Sequence, residues 1–187
     1  MNKVPRAKRA LIVGTIVLGL IVVLIAVGQV VLPGLWVRWF GTTTSGAGTV
    51  YSVADGDTLT ILVDGEKVKI RLLGVDAPEV AHGADPAGCG GKEASAALKD
   101  MLPKGTQVSY VTDPVADQVD SYGRVLAYVS TADIPDAGLA MIEQGYAEAW
   151  IPKGEPNPER WSDYVKAQKD AQKNSVGSWA TCDHIGR

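Results

Sequence analysis

Residues 55–79 read DGDTLTILVDGEKVKIRLLGVDAPE, and this stretch decides the fold of the region around it. Apolar residues alternate with polar ones on both sides of Asp64-Gly65, a favoured two-residue hairpin turn. The alternating apolar residues are Leu59, Ile61 and Val63 before the turn and Val68, Ile70 and Leu72 after it. Side chains of a strand alternate between its two faces, so the stretch predicts a β-hairpin with one apolar face.

Helical and strand patterns both occur after the hairpin. The predicted helices are residues 92–101, residues 136–144 with Gly145 as the stop, and a helix from the cap Asn157-Pro158 to about Asn174. The predicted strands are residues 107–112 and 125–130. Strands with helices inserted and appended predict an α+β, mainly β fold, in which helices decorate a small barrel.

The amino-terminal region differs in composition from the rest of the chain. Residues 10–32 are almost entirely apolar, and about 20 such residues cross a bilayer as a helix. Four basic residues in the tail 1–9 favour a cytoplasmic amino terminus. We therefore expect a single-pass anchor, with the domain outside the cytoplasm. A cleaved signal peptide is the alternative, and the domain would then be secreted.

Two further boundaries follow from composition. Small polar residues dominate the end of the stretch 33–49, which predicts a flexible linker between membrane and domain. The domain itself is expected over residues 50–182, followed by a short tail at 183–187. A segment of this size can bury a core of its own.

The charge distribution excludes one class of nucleic-acid-binding protein. After residue 40 the chain has 13 Lys and Arg and all 21 Asp and Glu, a net charge of −8. Proteins that bind DNA through a broad basic face need many Lys and Arg to neutralise phosphates. Any phosphate chemistry in this domain must therefore be local.

Two cysteines, Cys89 and Cys182, both fall in the predicted exported domain. An oxidising compartment permits a disulfide between them, which would close a loop of about 90 residues. The alternative is two unconnected thiols, because the sequence does not give the distance between them. Their spacing matches no zinc site.

Charged residues cluster at the ends of the hairpin. Asp55 and Asp57 flank a glycine before the first strand, where the backbone can bend and oxygen atoms can converge on a cation, although an ordinary Asx turn has the same pattern. Arg71 lies opposite the apolar face, so we expect its guanidinium to be free to meet phosphate. Asp76 and Glu79 follow it, and Tyr122 and Arg124 open a later strand.

Four motifs in order, DGDT, RLLGVDAPE, GKEAS and SYGRVLAY, resemble the thermonuclease family of staphylococcal nuclease-like domains. The resemblance covers roughly residues 50–179. It implies a five-stranded OB-fold barrel with three helices, here preceded by the expected transmembrane helix. It also implies a calcium-dependent nuclease that hydrolyses DNA and RNA as an endonuclease with exonuclease character and leaves 3′-phosphate ends.

The resemblance also implies a set of metal-binding residues. Asp57 and Asp76 would bind Ca²⁺ through their carboxylates, and Ala77 would contribute its backbone carbonyl. Asp55 would support the ligand geometry, or would only form the turn. Such an oxygen-only set suits a hard cation, and two carboxylates imply weak binding, which fits a compartment rich in calcium.

The remaining implied roles concern the substrate. Glu79 would be the general base, and Arg71 with Arg124 would bind the phosphate through their forked donors. Tyr122 and Trp150 would present rings to the nucleotide bases. The chain departs from the family pattern in having Ala77 for a threonine, Ser121 for a phosphate-contacting lysine and Trp150 for a tyrosine.

Several alternatives remain at this stage. A non-catalytic nucleic-acid-binding module on the same barrel, at the cell surface, is the main rival to the enzyme. A surface adhesion or scaffold protein would leave the clustered arginines unexplained. We expect a monomer that takes single-stranded or flexible strands, and we expect His82, in the loop after Glu79, to be exposed rather than a ligand.

Overall fold

A computed structural model of the chain describes residues 43–81 and 87–186. The predicted tail 1–9, the predicted anchor 10–32 and the first part of the predicted linker lie outside the described residues. Of the helices within the two described ranges, none has the length and apolar character needed to cross a membrane.

Within these ranges the chain forms seven strands, three α-helices and one short 3-10 helix. The strands are β1 (Ser45–Val53), β2 (Thr58–Val63), β3 (Glu66–Leu72), β4 (Val75–Asp76), β5 (Gln107–Val111), β6 (Val125–Ser130) and β7 (Glu148–Ala149). The helices are α1 (Gly91–Met101), α2 (Ala137–Glu143) and α3 (Trp161–Lys173), and the 3-10 helix is Gly177–Ala180.

Five of the strands close into a barrel in the order β1-β2-β3-β6-β5, and β5 pairs back onto β1. Neighbours in the barrel are antiparallel except β3 and β6, which run parallel. The short strands β4 and β7 pair separately. The predicted α+β fold, a five-stranded barrel with three helices, is confirmed, and the arrangement is consistent with an OB-fold.

The predicted hairpin is present as β2 and β3, with Asp64 and Gly65 between the strands. Its register pairs Leu59 with Ile70 and Thr58 with Arg71. The buried core contains inward side chains of this hairpin together with residues of α1 and α2: Leu59, Ile61, Ile70, Leu72, Ala94, Leu98, Met141 and Ile142. The predicted apolar face of the hairpin is therefore the inner face of the barrel.

The predicted linker is wrong over residues 45–49, because these residues form the first half of β1. They pair with β5, and the domain therefore begins before Val50. A Cβ atom added at Gly46 would lie 2.7 Å from the Tyr110 hydroxyl oxygen, so the missing side chain leaves room for the Tyr110 ring. Composition alone suggested a tether, although the small residues here permit close contact between strands.

The predicted start of the last helix is also wrong, because α3 begins at Trp161 rather than at Asn157-Pro158. The backbone amide of Glu159 donates instead to Asp113 Oδ2 at 2.8 Å, and that of Arg160 donates to the Tyr128 hydroxyl at 3.4 Å. These contacts with the barrel hold the segment before Trp161 outside the helix.

A buried polar network joins the barrel to α2 and α3. Tyr128 on β6 donates to Asp113 at 2.7 Å, and Tyr164 on α3 donates to Asp136, the N-cap of α2, at 2.9 Å. Burial raises the pKa of both tyrosines, and the nearby carboxylates add to this, so both hydroxyls stay protonated as donors. Arg160 completes the network with an ion pair to Asp136 at 2.6 Å.

Cys89 and Cys182 form a disulfide whose Cα atoms lie 5.9 Å apart. Cys89 lies just before α1, and Cys182 follows the 3-10 helix. The bond therefore joins the approach to α1 to the carboxyl-terminal end of the described chain.

Removing the disulfide should lower stability substantially. A bond across a sequence separation of 93 residues restricts the unfolded chain, so the double variant Cys89→Ser, Cys182→Ser should lose about 4 kcal/mol of unfolding free energy. Urea unfolding followed by tryptophan fluorescence measures this difference. Reduced wild-type protein is the matched control and should unfold at the same midpoint as the double variant. An unchanged midpoint in both samples would contradict the prediction.

Candidate active site

The turn before β2 lies beside the end of β3. The register places Thr58 opposite Arg71, and the Leu72 backbone amide donates to the Asp57 carbonyl at 2.8 Å. The Asp57 amide donates to Asp55 Oδ1 at 3.0 Å, so Asp55 does form an Asx turn. The charge of Asp55 adds to the effect of burial in raising the pKa of Asp57.

Gly56 allows this turn to pack closely against the rest of the domain. A Cβ atom at Gly56 would lie 2.6 Å from the Ala77 Cβ and 2.7 Å from the Ala94 Cβ. Both distances are shorter than real Cβ contacts, so any side chain would push the turn away from α1 and from the segment after β4. Because Gly56 precedes Asp57, its small size fixes where the Asp57 carboxylate sits.

Asp57, Arg71 and Asp76 form a buried ion cluster. Arg71 Nη1 lies 2.9 Å from Asp57 Oδ1, and Arg71 Nη2 lies 2.7 Å from Asp76 Oδ1. Arg71 Nη2 also donates to the Val75 carbonyl at 3.0 Å. The three residues are 2%, 5% and 0% exposed, respectively.

The expectation that the Arg71 guanidinium is free to meet phosphate is therefore wrong. Strand alternation does direct the side chain away from the barrel interior. However, the chain turns after β3, and β4 brings Asp76 back within reach of the same guanidinium. The predicted free donor is instead engaged by two carboxylates.

The electrostatics of this cluster favour an additional cation. The pKa of Asp57 is raised to about 7, mainly by burial and also by the charge of Asp55, against the lowering effects of Arg71, the Ala77 amide and the Thr58 hydroxyl. Two carboxylates face one guanidinium, so the cluster carries an excess negative charge when both acids are ionised. Their oxygen donors suit a hard cation such as Ca²⁺ or Mg²⁺, and a cation there would favour the ionised form of Asp57.

The predicted ligand Ala77 is in contact with the cluster through its backbone. Its amide donates to Asp57 Oδ2 at 2.8 Å, and Ala77 is buried. Across residues 43–81 and 87–186, no group of three or more His, Cys, Asp or Glu side chains has a metal-binding arrangement. A cation at this position would therefore depend on Asp57 and Asp76 together with backbone, water or substrate oxygens.

Thr58 connects Arg124 to the buried cluster. Its hydroxyl donates to Asp57 Oδ1 at 3.0 Å and lies 3.5 Å from Arg124 Nη1. Asp120 holds Arg124 from the other side, because Arg124 Nε lies 2.6 Å from Asp120 Oδ2. Although burial alone would raise it, hydrogen bonds from Arg124 and from the Tyr122 amide lower the pKa of Asp120. Asp120 is therefore a charged partner that orients the guanidinium.

Glu79 and Arg124 open onto the same cleft. Lys69, Glu79, Tyr122 and Arg124 line a depression of about 350 Å³. Glu79 is exposed, and its carbonyl accepts a hydrogen bond from Gly88 at 2.9 Å, which ties its backbone to the approach to α1. Its carboxylate is thus presented to solvent on a braced segment.

An adjoining groove contains the two predicted aromatic residues. Tyr122 and Trp150 line a depression of about 220 Å³ together with Arg71 and Arg124. Tyr122 is 84% exposed, and its ring lies 5.3 Å from the Arg124 guanidinium carbon. The rings therefore lie beside the cluster of charged groups.

The fold brings together the predicted site residues that lie within the described chain: Asp55, Asp57, Arg71, Asp76, Ala77, Glu79, Tyr122, Arg124 and Trp150. His82, which the sequence predicts to be exposed rather than a ligand, lies outside the described residues. Sequence reasoning assigned no role to Thr58, Asp120 or Lys69. Asp120 lies in the same turn as Tyr122, and Lys69 shares a strand face with Arg71, so both signals were available.

Comparison with known proteins identifies this arrangement. A family profile described as "Staphylococcal nuclease homologue" matches residues 69–181, which is more than half of the chain. The chain belongs to this nuclease family. The matched range contains Arg71, Asp76, Glu79 and Arg124, and the turn that carries Asp57 lies outside it, before β2.

Individual relatives of this staphylococcal nuclease homologue agree with the family match. The chain is 35% identical over 132 residues to the thermonuclease of Staphylococcus intermedius, covering 70% of this chain and 74% of that protein. It is 32% identical over 152 residues to an uncharacterised protein of Methanocaldococcus jannaschii, covering 71% and 70%, respectively. It is 34% identical over 145 residues to endonuclease YhcR of Bacillus subtilis, covering 74% of this chain but 12% of that protein.

Glu148 is an additional acid near the Asp57–Arg71–Asp76 cluster. It pairs with Asp76 across the β4–β7 ladder and is nearly buried. The pKa of Glu148 is raised overall, mainly by burial. The charge of His184 opposes this shift, and the charge of Asp76 adds to it. Within the described part of the chain Glu148 does not join Asp57 and Asp76 in a three-acid metal-binding group.

Replacing Asp57 by Asn should remove a specific part of the pH dependence of stability. The folded pKa of about 7 exceeds the ordinary value of 3.8, so the folded state holds a proton more tightly than the unfolded state between these values. In metal-free buffer, this carboxyl should make the unfolding free energy fall as pH rises from about 4 to 7, by roughly 2–4 kcal/mol, and have no further effect above.

Denaturant unfolding at several pH values in chelator measures the effect. The difference in stability between Asp57→Asn and wild type should shift in favour of the variant as pH rises towards 7. Asp133→Asn, which changes an exposed acid after β6, is the matched control and should follow wild type. Parallel pH profiles for Asp57→Asn and wild type would contradict the prediction.

Proposed function

We propose that this staphylococcal nuclease homologue is a calcium-dependent nuclease that hydrolyses phosphodiester bonds of DNA and RNA. The observation that carries the proposal is the buried Asp57–Arg71–Asp76 cluster beside a cleft that presents Glu79 and Arg124. A phosphodiester anion needs cationic donors and a nearby base for attack by water, and this arrangement supplies both.

The calcium part of the proposal rests on the donor set. Asp57 and Asp76 would hold the ion with the Ala77 carbonyl, and their excess negative charge is a reason for a cation to bind. When bound, Ca²⁺ would neutralise charge on the phosphate and on its transition state. Two protein carboxylates give modest affinity, which fits millimolar calcium outside the cytoplasm.

Glu79 would act as the general base. It is exposed in the cleft, so a water molecule can reach it, and its backbone is held by the hydrogen bond from Gly88. Removal of a proton from that water would let its oxygen attack phosphorus as the bond to the 5′ oxygen breaks. Once solvent protonates the departing 5′ oxygen, the products would carry a 3′-phosphate and a 5′-hydroxyl.

The two arginines would stabilise the charge that develops on the phosphate oxygens. Arg124 is oriented by Asp120 while part of its side chain remains accessible from the cleft. Arg71 lies at the floor, between the two acids. Planar guanidinium groups with paired donors suit such oxygens better than an ammonium group does.

The aromatic groove favours strands whose bases are accessible. Tyr122 and Trp150 offer ring surfaces beside the charged groups, and stacking on them does not depend on base identity. We therefore propose single-stranded or flexible DNA and RNA as preferred substrates, cut internally and from ends by a monomeric enzyme.

We further propose that the nuclease domain acts outside the cytoplasm, tethered by the apolar segment 10–32. The basic residues of the tail 1–9 and the apolar character of residues 10–32 support this proposal. The Cys89–Cys182 disulfide also fits an oxidising compartment.

Cleavage of a labelled single-stranded oligodeoxynucleotide tests the function. The full chain should cleave it with Ca²⁺ and fail with a calcium chelator. Glu79→Gln should reduce kcat by about 100-fold or more, because the base is lost while the shape is kept. Glu143→Gln, which changes an exposed acid on α2, is the control and should cleave normally. Equal cleavage with calcium, with chelator and by Glu79→Gln would refute the proposed mechanism.

Changes at Arg124 separate charge from geometry. Arg124→Ala should lower kcat by roughly 100- to 1000-fold through loss of a transition-state donor. Arg124→Lys keeps the positive charge but lacks the planar pair of hydrogen-bond donors, so it should have only slightly more activity than Arg124→Ala. Thermal midpoints close to wild type in both variants would show that the fold is intact. A fully active Arg124→Ala would remove this residue from the mechanism.

A further inference from the structure

Three cations occupy one face of β3. Lys67, Lys69 and Arg71 alternate along the strand, so their side chains point away from the barrel interior. Arg71 is buried at the cluster, whereas Lys67 and Lys69 are exposed. Neighbouring members are two residues apart, or roughly 6.5 Å along a strand. The cations thus form an evenly spaced row that leads out of the candidate active site.

Lys69 is the member of this row that borders the cleft. It lines the cleft with Glu79, Tyr122 and Arg124. Among the contacts between described residues, Lys69 has no salt bridge or side-chain hydrogen bond. The nearest residue across the hairpin is Thr60, which is uncharged. Its ammonium group is therefore available to an anion that enters the cleft.

Lys67 lies one step further along the strand and belongs to a second group of cations. Its Nζ lies 3.9 Å from the centre of the Tyr51 ring, and Lys104 Nζ lies 5.3 Å from the same centre. A hydrogen bond and the charge of Lys67, followed by the charge of Lys104, lower the pKa of the exposed Tyr51 hydroxyl. Two ammonium groups therefore meet at one aromatic ring.

The charge of this row is opposite to the net charge of the domain. The chain after residue 40 has a net charge of −8, so a row of exposed cations that ends at a cleft differs from the average composition of the domain. Away from Arg71, the row ends at Lys67, because the residues between Lys67 and the hairpin turn include the acids Glu66 and Asp64. Its length is thus limited to two steps beyond Arg71.

We infer that the outer face of β3 is a binding track for the phosphates of a single nucleic-acid strand that flank the bond to be cut. Lys69 would bind the phosphate next to the scissile one, and Lys67 with Lys104 the phosphate after that. This inference rests on the proposed nuclease function and specifies how that site holds its substrate. The two-residue spacing along β3 is close to the distance between successive phosphates of an extended single strand.

The track has a consequence that the catalytic cleft alone would not have. A dinucleotide presents only the scissile phosphate, whereas a longer strand also reaches Lys69 and Lys67. The gain in kcat/KM from a short to a long substrate should therefore depend on these lysines. Lysine suits this task, because a flexible point charge tolerates any base sequence.

The test compares a thymidine dinucleotide with an octathymidylate, both with calcium and the full chain. In wild type, kcat/KM should be higher for the octamer than for the dinucleotide. In the double variant Lys67→Gln, Lys69→Gln this ratio should be roughly tenfold smaller. The matched control is Lys166→Gln, Lys169→Gln, which removes the same charge from exposed positions of α3 and should keep the gain. Lys67→Arg, Lys69→Arg keeps both charges and should also retain it.

Binding is measured separately, so that the track can be judged without turnover. In a Glu79→Gln background, fluorescence anisotropy with labelled octathymidylate gives the affinity as a function of salt. Loss of both lysines should make the slope of log affinity against log salt shallower by about 0.7 to 1.4. Each single-strand phosphate contact contributes about 0.7, and Lys104 still faces the outer phosphate in this variant.

The outcomes separate the two proposals. Wild type that cleaves neither substrate would refute the proposed function, and the binding experiment would still decide the track. Wild-type affinity and salt slope in the double glutamine variant would overturn the track, whatever the cleavage result. An equal loss in the α3 control pair would also overturn it, because the effect would then be one of total charge.

Discussion

The double ion pair of Arg71 with Asp57 and Asp76 is the interaction on which the rest of the site depends. It joins the start of β2, the end of β3 and the strand β4 at one point in the interior. Charges removed from water are costly unless they are closely paired, and loss of one partner leaves the others uncompensated. The paths of these three segments are therefore coupled to one another through a single guanidinium.

This coupling also explains how the site is layered. The buried cluster is connected through Thr58 to Arg124, which Asp120 holds at the edge of the cleft. The proposed base, Glu79, lies beyond this edge and is exposed. The charged residues that would bind a cation, Asp57 and Asp76, are thus buried, whereas Glu79 is exposed where water and substrate would enter. In the proposed enzyme, binding of Ca²⁺ and phosphate would have to share donors and acceptors that are now paired with each other.

Contacts outside the site hold the elements that carry it. The disulfide fixes the approach to α1, and that approach contacts the Glu79 backbone through Gly88. On the other side, Asp136 joins α2 to Tyr164 of α3. Asp113 accepts from Tyr128 of β6 and from the Glu159 amide, and so attaches the segment before α3 to the barrel. Lys69 of β3 makes no such supporting contact with the described residues, which is consistent with the role in substrate binding inferred for it. Lys67 does contact the Tyr51 ring, but it remains exposed.

The sequence by itself determined the hairpin, the membership of the nuclease family and most of the residues that meet at the site, although not Thr58, Asp120 or Lys69. Strand alternation has a period of two in any context, and the motifs RLLGVDAPE and SYGRVLAY are local. Tertiary structure decided the rest. Residues 45–49 became a strand because β5 pairs with them, α3 starts late because Asp113 binds the Glu159 amide, and Arg71 is engaged because β4 returns Asp76 to it. Local patterns give the direction of a side chain, but its partner depends on how distant segments meet when the barrel closes.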